Sequence, residues 1–323
     1  MRVAILFNPN AGGNSHYTNI GKILGERLKG CKIKTYPGLY GQTYIENAEI
    51  VSRVNATGDY LKDLYSIIME VIKTNPELLV CVGGDGFLAY IADAMIRNNI
   101  KIPLLGIAGG TANVGPLINF TAASLMRLDL AKIKLSPVGA LEVALNKSIK
   151  GYAFNDVIIG NTFLGMLNEQ MSNIGVETFI QTGIKKKLAP STDIVLDYFQ
   201  IAKNELTLQF NMKKPAQIVI SPIEGKNYLG KAITGLLCHA TLTKSKAALA
   251  LLDRVIVSME SENKDNELMS IEQLIFTEED KLSISGLSRN GHVIIDGNPF
   301  IRQAKEAVNI RCIANAVIGV NML

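Results

Sequence analysis

The sequence predicts an α/β protein in two parts, a parallel-sheet domain over residues 1–135 followed by a mostly antiparallel, β-rich domain over 136–323. Three observations lead there. A chain of 323 residues is about two domains long at the usual ~100–200 residues each, and 48% hydrophobic content is enough to bury a core in both. Up to about residue 135, short apolar runs alternate with longer amphipathic segments, the pattern of a parallel sheet covered by helices. Beyond that point the runs are short, apolar or alternating, and separated by turn residues, which reads as antiparallel β-structure.

In the first part, strands are predicted at Val3–Phe7, Lys32–Tyr36, Leu78–Val82 and Pro103–Ile107. Leu61, Leu64, Ile67, Ile68 and Val71 recur at helical spacing, so Tyr60–Lys73 is predicted as a helix, and a second should run from Phe87 to about Arg97. In the second part the predicted strands are Val138–Leu145, Tyr152–Ile159, Leu206–Phe210, Ile218–Ser221, Val255–Ser258, Lys281–Ser285 and His292–Ile295. Ala314–Val320 is either one more strand or a return to the first domain. Glu260–Glu267, with five acidic or basic residues in eight, is the clearest exposed loop.

Composition narrows the function. Charged residues are 19% of the chain, below the ~25% of an average soluble protein, which points to buried strands and a homo-oligomer interface. The net charge of +4 is too small and dispersed for a nucleic-acid footprint; it suits an anionic small molecule. Cys31, Cys81, Cys238 and Cys312 lie far apart with no CxxC pair, which argues against a zinc site or a disulfide framework. The stretch Ile102–Met126 is uncharged and long enough to span a bilayer, but Pro103, Gly106, Gly109, Gly110, Gly115 and Pro116 would break a spanning helix. No stable membrane insertion and a cytoplasmic location are therefore expected.

Three turns, each closing a predicted strand, carry the chemistry. They are Asn8-Pro9-Asn10-Ala11-Gly12-Gly13, Gly83-Gly84-Asp85-Gly86 and Gly109-Gly110-Thr111-Ala112-Asn113. In an open parallel sheet ligands bind at the carboxyl ends of the strands, so the three turns should converge on one crevice. In the second turn a strand stops, glycines remove side-chain bulk and a helix begins, leaving backbone N–H groups and the helix dipole to cradle phosphate. Asp85 would be repelled by bare phosphate, and binding a metal, accepting a ligand hydroxyl or acting as a general base would each explain it. The ordinary alternative is a tight turn in which Asp85 caps the following helix. The third turn offers the Gly110 backbone, the Thr111 hydroxyl and the Asn113 amide to phosphate or ribose oxygens.

Gly84-x-Gly86-x-x-Ala89 formally matches a dinucleotide fingerprint, but the next strand ends in Ala108-Gly109-Gly110 with no acidic residue to hold a ribose. Hydride transfer on a Rossmann-like domain is thereby disfavoured. A Walker A sequence is absent from the chain, which excludes a P-loop kinase.

In order and spacing the three turns resemble the signatures of the NAD kinase and diacylglycerol kinase superfamily. Pro103-Leu104-Leu105 leading into Gly110-Thr111-Ala112-Asn113-Val114 and Pro116 looks most like its AcoX, or ATP-NAD kinase-like, branch. In the second half the resemblance narrows to Phe154-Asn155-Asp156-Val157 and the His292–Asp296 strand; Asn155-Asp156 is similar to the Asn-Glu pair that holds the dinucleotide in NAD kinases. Two positions depart from the pattern. Phe87 stands where the family usually has Thr, and Ile233-Thr234-Gly235-Leu236 is a faint echo of the later Pro-Thr-Gly-Ser-Thr segment.

The resemblance implies an ATP-dependent kinase with Mg²⁺, transferring the γ-phosphoryl group to a hydroxyl. NAD, through its adenosine 2′-OH, is the first-choice acceptor. Asn8, Gly12, Gly13, Gly83, Gly84, Gly86, Gly110, Thr111, Asn113, Asn155 and Asp156 would hold the nucleotides, with Asp85 as the base. Lys185-Lys186-Lys187 could neutralise developing charge, although such a run is more often a solvated loop, and the isolated His239 reads as structural. The alternatives are a lipid or sphingoid kinase of the same superfamily and a nucleotide-binding sensor without turnover.

Overall fold

In the computed structural model of the chain, the described residues are 1–11, 14–110, 113, 115–168, 170–222, 247–259, 268–303 and 305–322. Gly12, Gly13, Thr111, the Ile233–Leu236 segment, Cys238, His239 and Glu260–Glu267 lie outside them. The chain divides into two units. Met1–Gly139 and the chain from Asn315 form the first; the described residues between Ala140 and Ala314 form the second.

The first unit is built on β1 (Arg2–Phe7), β2 (Lys32–Thr35), β3 (Glu49–Ile50), β4 (Leu78–Gly83) and β5 (Leu104–Ala108), in the order β5-β4-β1-β2-β3. All the pairings are parallel. Val3–Phe7 and every residue of β4 are buried, as expected of central strands covered on both faces. Helices α1 (Tyr17–Arg27), α2 (Tyr60–Ile72) and α3 (Asp85–Arg97) supply the cover. Asp59 caps α2 through the N–H groups of Leu61 and Lys62, and Leu64, Ile67, Ile68 and Val71 form its buried face.

Helix α1 lies between the first two strands, where the sequence predicts none. Its apolar stripe of Tyr17, Ile20 and Leu24 is thin and shared with Gly21, yet those side chains are buried against Phe7, Val80 and Ile107 in the core of this unit. Packing, not propensity, makes this helix.

The uncharged stretch after β5 forms a short strand, Ile118–Phe120, parallel to β5, and a single helical turn at Ala122–Leu125. Among the described residues no helix is long and apolar enough to cross a membrane. The strands Ile133–Leu145 and Val308–Met322 carry the chain out of the first unit and back into it. Ala314–Val320 is the middle of the longer strand Val308–Met322, and Gly319 pairs in parallel with Leu104 of β5.

The second unit is antiparallel. Among the described residues its main sheet has six strands in the order Ile271–Phe276, Ala247–Leu252, Gln217–Pro222, Val157–Gly160, His292–Ile295, Asn298–Phe300. Alternate residues enter different cores. Ile218, Ile220, Leu249 and Leu251 pack with Ile201, Leu282, Ile284 and Ile310 from a second layer of strands, whereas Val219, Ala250 and Ile294 join Phe163, Ile174 and Val176. A sheet buried on both faces explains why these strands read as unbroken apolar runs.

Three predicted strands differ. Val255–Ser258 is not a strand, because the buried Gln217 side-chain oxygen takes the N–H groups of Ile256 and Val257 at 3.0 and 3.1 Å. Leu206–Phe210 is reduced to Leu206–Thr207, which pairs with Ala202 and Lys203 at a hairpin turn. Tyr152–Ile159 is two strands, Ser148–Ala153 and Val157–Gly160, interrupted at Phe154–Asp156 where the backbone turns to a side chain instead of a ladder.

Candidate functional site

At the carboxyl edge of the first unit's sheet the glycine turns touch one another. Asn8 N–H donates to Val82 O at 2.9 Å, and Gly109 N–H donates to Gly83 O at 2.9 Å, so the ends of β1, β4 and β5 are linked. A Cβ on Gly110 would stand 2.7 Å from the Gly84 Cα, and one on Gly83 would stand 3.1 Å from the Asn8 Cβ. At Gly110 a side chain would force the Gly84 backbone to shift. Asn8, Gly83, Gly84 and Gly110 are thus brought together, with Asp85 and Gly86 following on the first turn of α3.

The helix starts two residues earlier than predicted. Gly84 is its N-cap, in extended conformation and with no side-chain cap bond, so Asp85 is the first helical residue and not the cap. Its carboxylate Oδ1 instead accepts the Gly115 N–H at 2.9 Å, tying α3 to the loop after β5. Gly84, Asp85 and Gly86 are half-buried at the positive end of the helix dipole, which favours an anion. Phe87 is buried, and its ring lies under the turn: a Cβ on Gly83 would meet it at 2.6 Å. Phe87 is a packing residue here, and it adds a second reason for glycine at position 83.

Other polar groups are engaged in holding the turns. Asn8 Oδ1 accepts Asn10 N–H at 3.0 Å. The Asn113 amide closes on Gly110, accepting its N–H at 3.0 Å and donating to its carbonyl at 2.8 Å. Tyr17 is a further residue of the site, with no motif in the sequence to mark it. It is fully buried under the turns, its hydroxyl 3.5 Å from Val82 O and 3.4 Å from Gly109 O, and burial pushes its phenol well above the usual range. Its signal was the helical spacing Tyr17, Ile20, Leu24.

Asn155 and Asp156 belong to the second unit, half-buried where the strand before Val157 breaks. Asp296, given no role in the sequence beyond closing the His292–Asp296 strand, sits under them: its carboxylate accepts the N–H groups of Phe154, Asn155 and Asp156 at 2.8, 2.8 and 2.9 Å. Burial, and then the nearby Asp156 carboxylate, push Asp296 up to about 7, against the pull of those three donors. The available sequence signal was Asp296-Gly297, a two-residue hairpin pair. Lys185, Lys186 and Lys187 are exposed on the same unit, and Lys185 Nζ donates to Met166 O at 3.1 Å.

A parallel sheet with glycine turns at its carboxyl edge and an antiparallel β-rich part is also the fold of solved NADH kinase and diacylglycerol kinase structures. Residues 2–150 match the diacylglycerol kinase catalytic domain, which covers all three turns. Among solved structures, yeast NADH kinase complexed with NADH aligns with TM-score 0.55 and 13% identity over 100% of this chain and 84% of its own. A diacylglycerol kinase from Bacillus anthracis str. Sterne aligns with TM-score 0.55 and 13% identity over 99% of this chain and 96% of its own. At such identities the likeness is one of fold. No curated protein matches the chain.

Proposed function

We propose that the protein is a kinase that moves the γ-phosphoryl group of ATP onto a hydroxyl, with the adenosine 2′-OH of NAD as acceptor. The observation that carries the kinase reading is the contact between the turns at Asn8, Gly83–Gly86 and Gly110 at one end of the parallel sheet. Backbone N–H groups and the α3 dipole there suit a triphosphate, with Gly12, Gly13 and Thr111 of the same turns assigned from the sequence. In the reaction the acceptor oxygen bonds to the γ-phosphorus, the bond to the β–γ bridging oxygen breaks, and ADP leaves. Asp85 takes the acceptor proton.

Mg²⁺ would be held chiefly through the substrate phosphates at this end of the sheet, with Asp85 kept as the base. When bound, it supplies neutralisation of phosphate charge.

The Asn155 amide and the Asp156 carboxylate favour a hydroxyl-rich acceptor such as a ribose over an acyl chain. The AcoX-like residues from Pro103 to Pro116 point the same way. A second reading, a diacylglycerol kinase, is favoured by the family match over residues 2–150.

The purified protein is to be given Mg-ATP with NAD, NADH or diacylglycerol in turn. NADP formation is expected. Phosphatidic acid alone would transfer the acceptor assignment to the lipid, and no product from any of them would overturn the kinase reading in favour of a sensor.

A further inference from the structure

Asp296 and Ser221 hold the backbone of Asn155 and Asp156. In the antiparallel ladder between Val157–Gly160 and His292–Ile295, Val157 stands opposite Ile295. One step further along that register, Asp156 faces Asp296. Half of the expected ladder pair is there, since Asp296 N–H donates to Asp156 O at 3.0 Å. The other half is replaced: Asp156 N–H goes to the Asp296 carboxylate at 2.9 Å, and that carboxylate also gathers the N–H groups of Asn155 and Phe154. From the strand Gln217–Pro222, Ser221 Oγ donates to Asn155 O at 2.5 Å.

Asp296 is itself held firmly. With Gly297 it forms a two-residue turn, both at positive φ (46° and 79°), between His292–Ile295 and Asn298–Phe300. The two ends of that hairpin are clamped by the buried Arg302, whose guanidinium donates to the carbonyls of Leu287, Ser288, Gly291, Gln303 and Glu306. The turn alone does not explain a carboxylate, because Asn-Gly forms this turn as well as Asp-Gly. Burying a carboxylate is costly unless it is well supplied with donors. Here its three donors are the N–H groups that would otherwise continue the strand through Asn155.

We propose that Asp296 is a positioning residue for acceptor binding: by drawing in the backbone of Phe154–Asp156 it breaks the strand there and sets the direction from which Asn155 and Asp156 reach the acceptor. This rests on the reading that Asn155 and Asp156 hold the acceptor.

The test is steady-state kinetics of the full chain with Mg-ATP, with NAD and separately a short-chain diacylglycerol as acceptor, on wild type, Asp296→Asn, Ser221→Ala and Asn155→Ala. Asp296→Asn keeps the turn but presents one acceptor oxygen to three N–H groups. KM for the acceptor should rise about tenfold or more, as for at least one lost hydrogen bond, while KM for ATP stays as it was. A merely structural role would lower thermal stability and the active fraction, hence kcat, and leave both KM values alone; that result overturns the proposal. Ser221→Ala removes one hydrogen bond from Asn155 and decides the matter if Asp296→Asn does not fold: a rise of about threefold or more in acceptor KM supports the role, and no change overturns it. If Asn155→Ala raises acceptor KM and Asp296→Asn does not, only the positioning role falls. If Asn155→Ala leaves acceptor KM unchanged, or wild type phosphorylates neither acceptor, the reading beneath it falls too.

Discussion

Asp85 is an ionisable side chain in a turn otherwise made of glycine, and Asp85→Asn separates its possible roles. The amide oxygen of Asn can still accept the Gly115 N–H, so folding should survive, which thermal unfolding will check. As general base its loss should lower turnover by ~10²–10⁴ with KM for ATP less affected. Near-wild-type turnover would remove Asp85 from the chemistry. Asp296 makes a prediction about pH. Its folded pKa, about 7, lies above the ordinary carboxylate value, so the native state binds the extra proton and this group's contribution to stability is lost as pH rises from about 4 through 7. Urea unfolding at pH 5 and pH 8 should therefore show wild type losing more stability than Asp296→Asn over that interval; parallel losses would mean that the carboxylate titrates as in the unfolded chain. Asp85 could be singled out from the sequence because its neighbours are glycines. Asp296 carried only the turn signal Asp296-Gly297, which says nothing of its donors some 140 residues away in the chain.

At the level of elements, the contact between the turns after β4 and β5 makes Gly110 and Gly25 instructive opposites. Gly110→Ala puts a methyl group 2.7 Å from the Gly84 backbone, so one turn must move away from the other. A loss of thermal stability and a rise in KM for ATP are expected; unchanged kinetics would show that the spacing of the turns does not matter for the nucleotide. Gly25 lies exposed in α1 with nothing within 4 Å of a Cβ. Gly25→Ala should stabilise the fold by ~0.5–1 kcal/mol without affecting activity, as measured by denaturant unfolding beside an assay. The strands of the first unit were legible because buried parallel strands are short apolar runs closed by glycine or asparagine. Helix α1 and the break at Phe154–Asp156 were not. The former depends on what Tyr17, Ile20 and Leu24 meet, the latter on where the Asp296 side chain goes.

On the scale of the whole molecule, the first unit is not continuous in sequence. The chain from Asn315 completes it, with Gly319 beside Leu104 on the edge of β5 and Val320 buried in its core. A fragment of residues 1–139 should consequently melt less cooperatively and bind ATP more weakly than a fragment in which residues 315–322 are joined to it by a flexible linker. Circular dichroism melting and ATP titration of the two fragments will check this, and equal behaviour would mean that the returning strand is dispensable. The sequence left open whether Ala314–Val320 was another strand of the β-rich part or a return, since an apolar run carries no mark of its partner strand.

What the sequence determined by itself is local: the apolar runs that become strands, the glycine turns that end β1, β4 and β5, and the type of chemistry that glycines with a single carboxylate suit. Each depends on residues within one turn or strand of each other. What only the tertiary structure decided is which distant groups meet. It placed Gly84 against Gly110, moved Asp85 from helix cap to anchor for Gly115, and set Asp296 under Asn155 and Asp156. A buried N–H must find an acceptor, but local sequence does not say which. Sheet register and close packing make that choice.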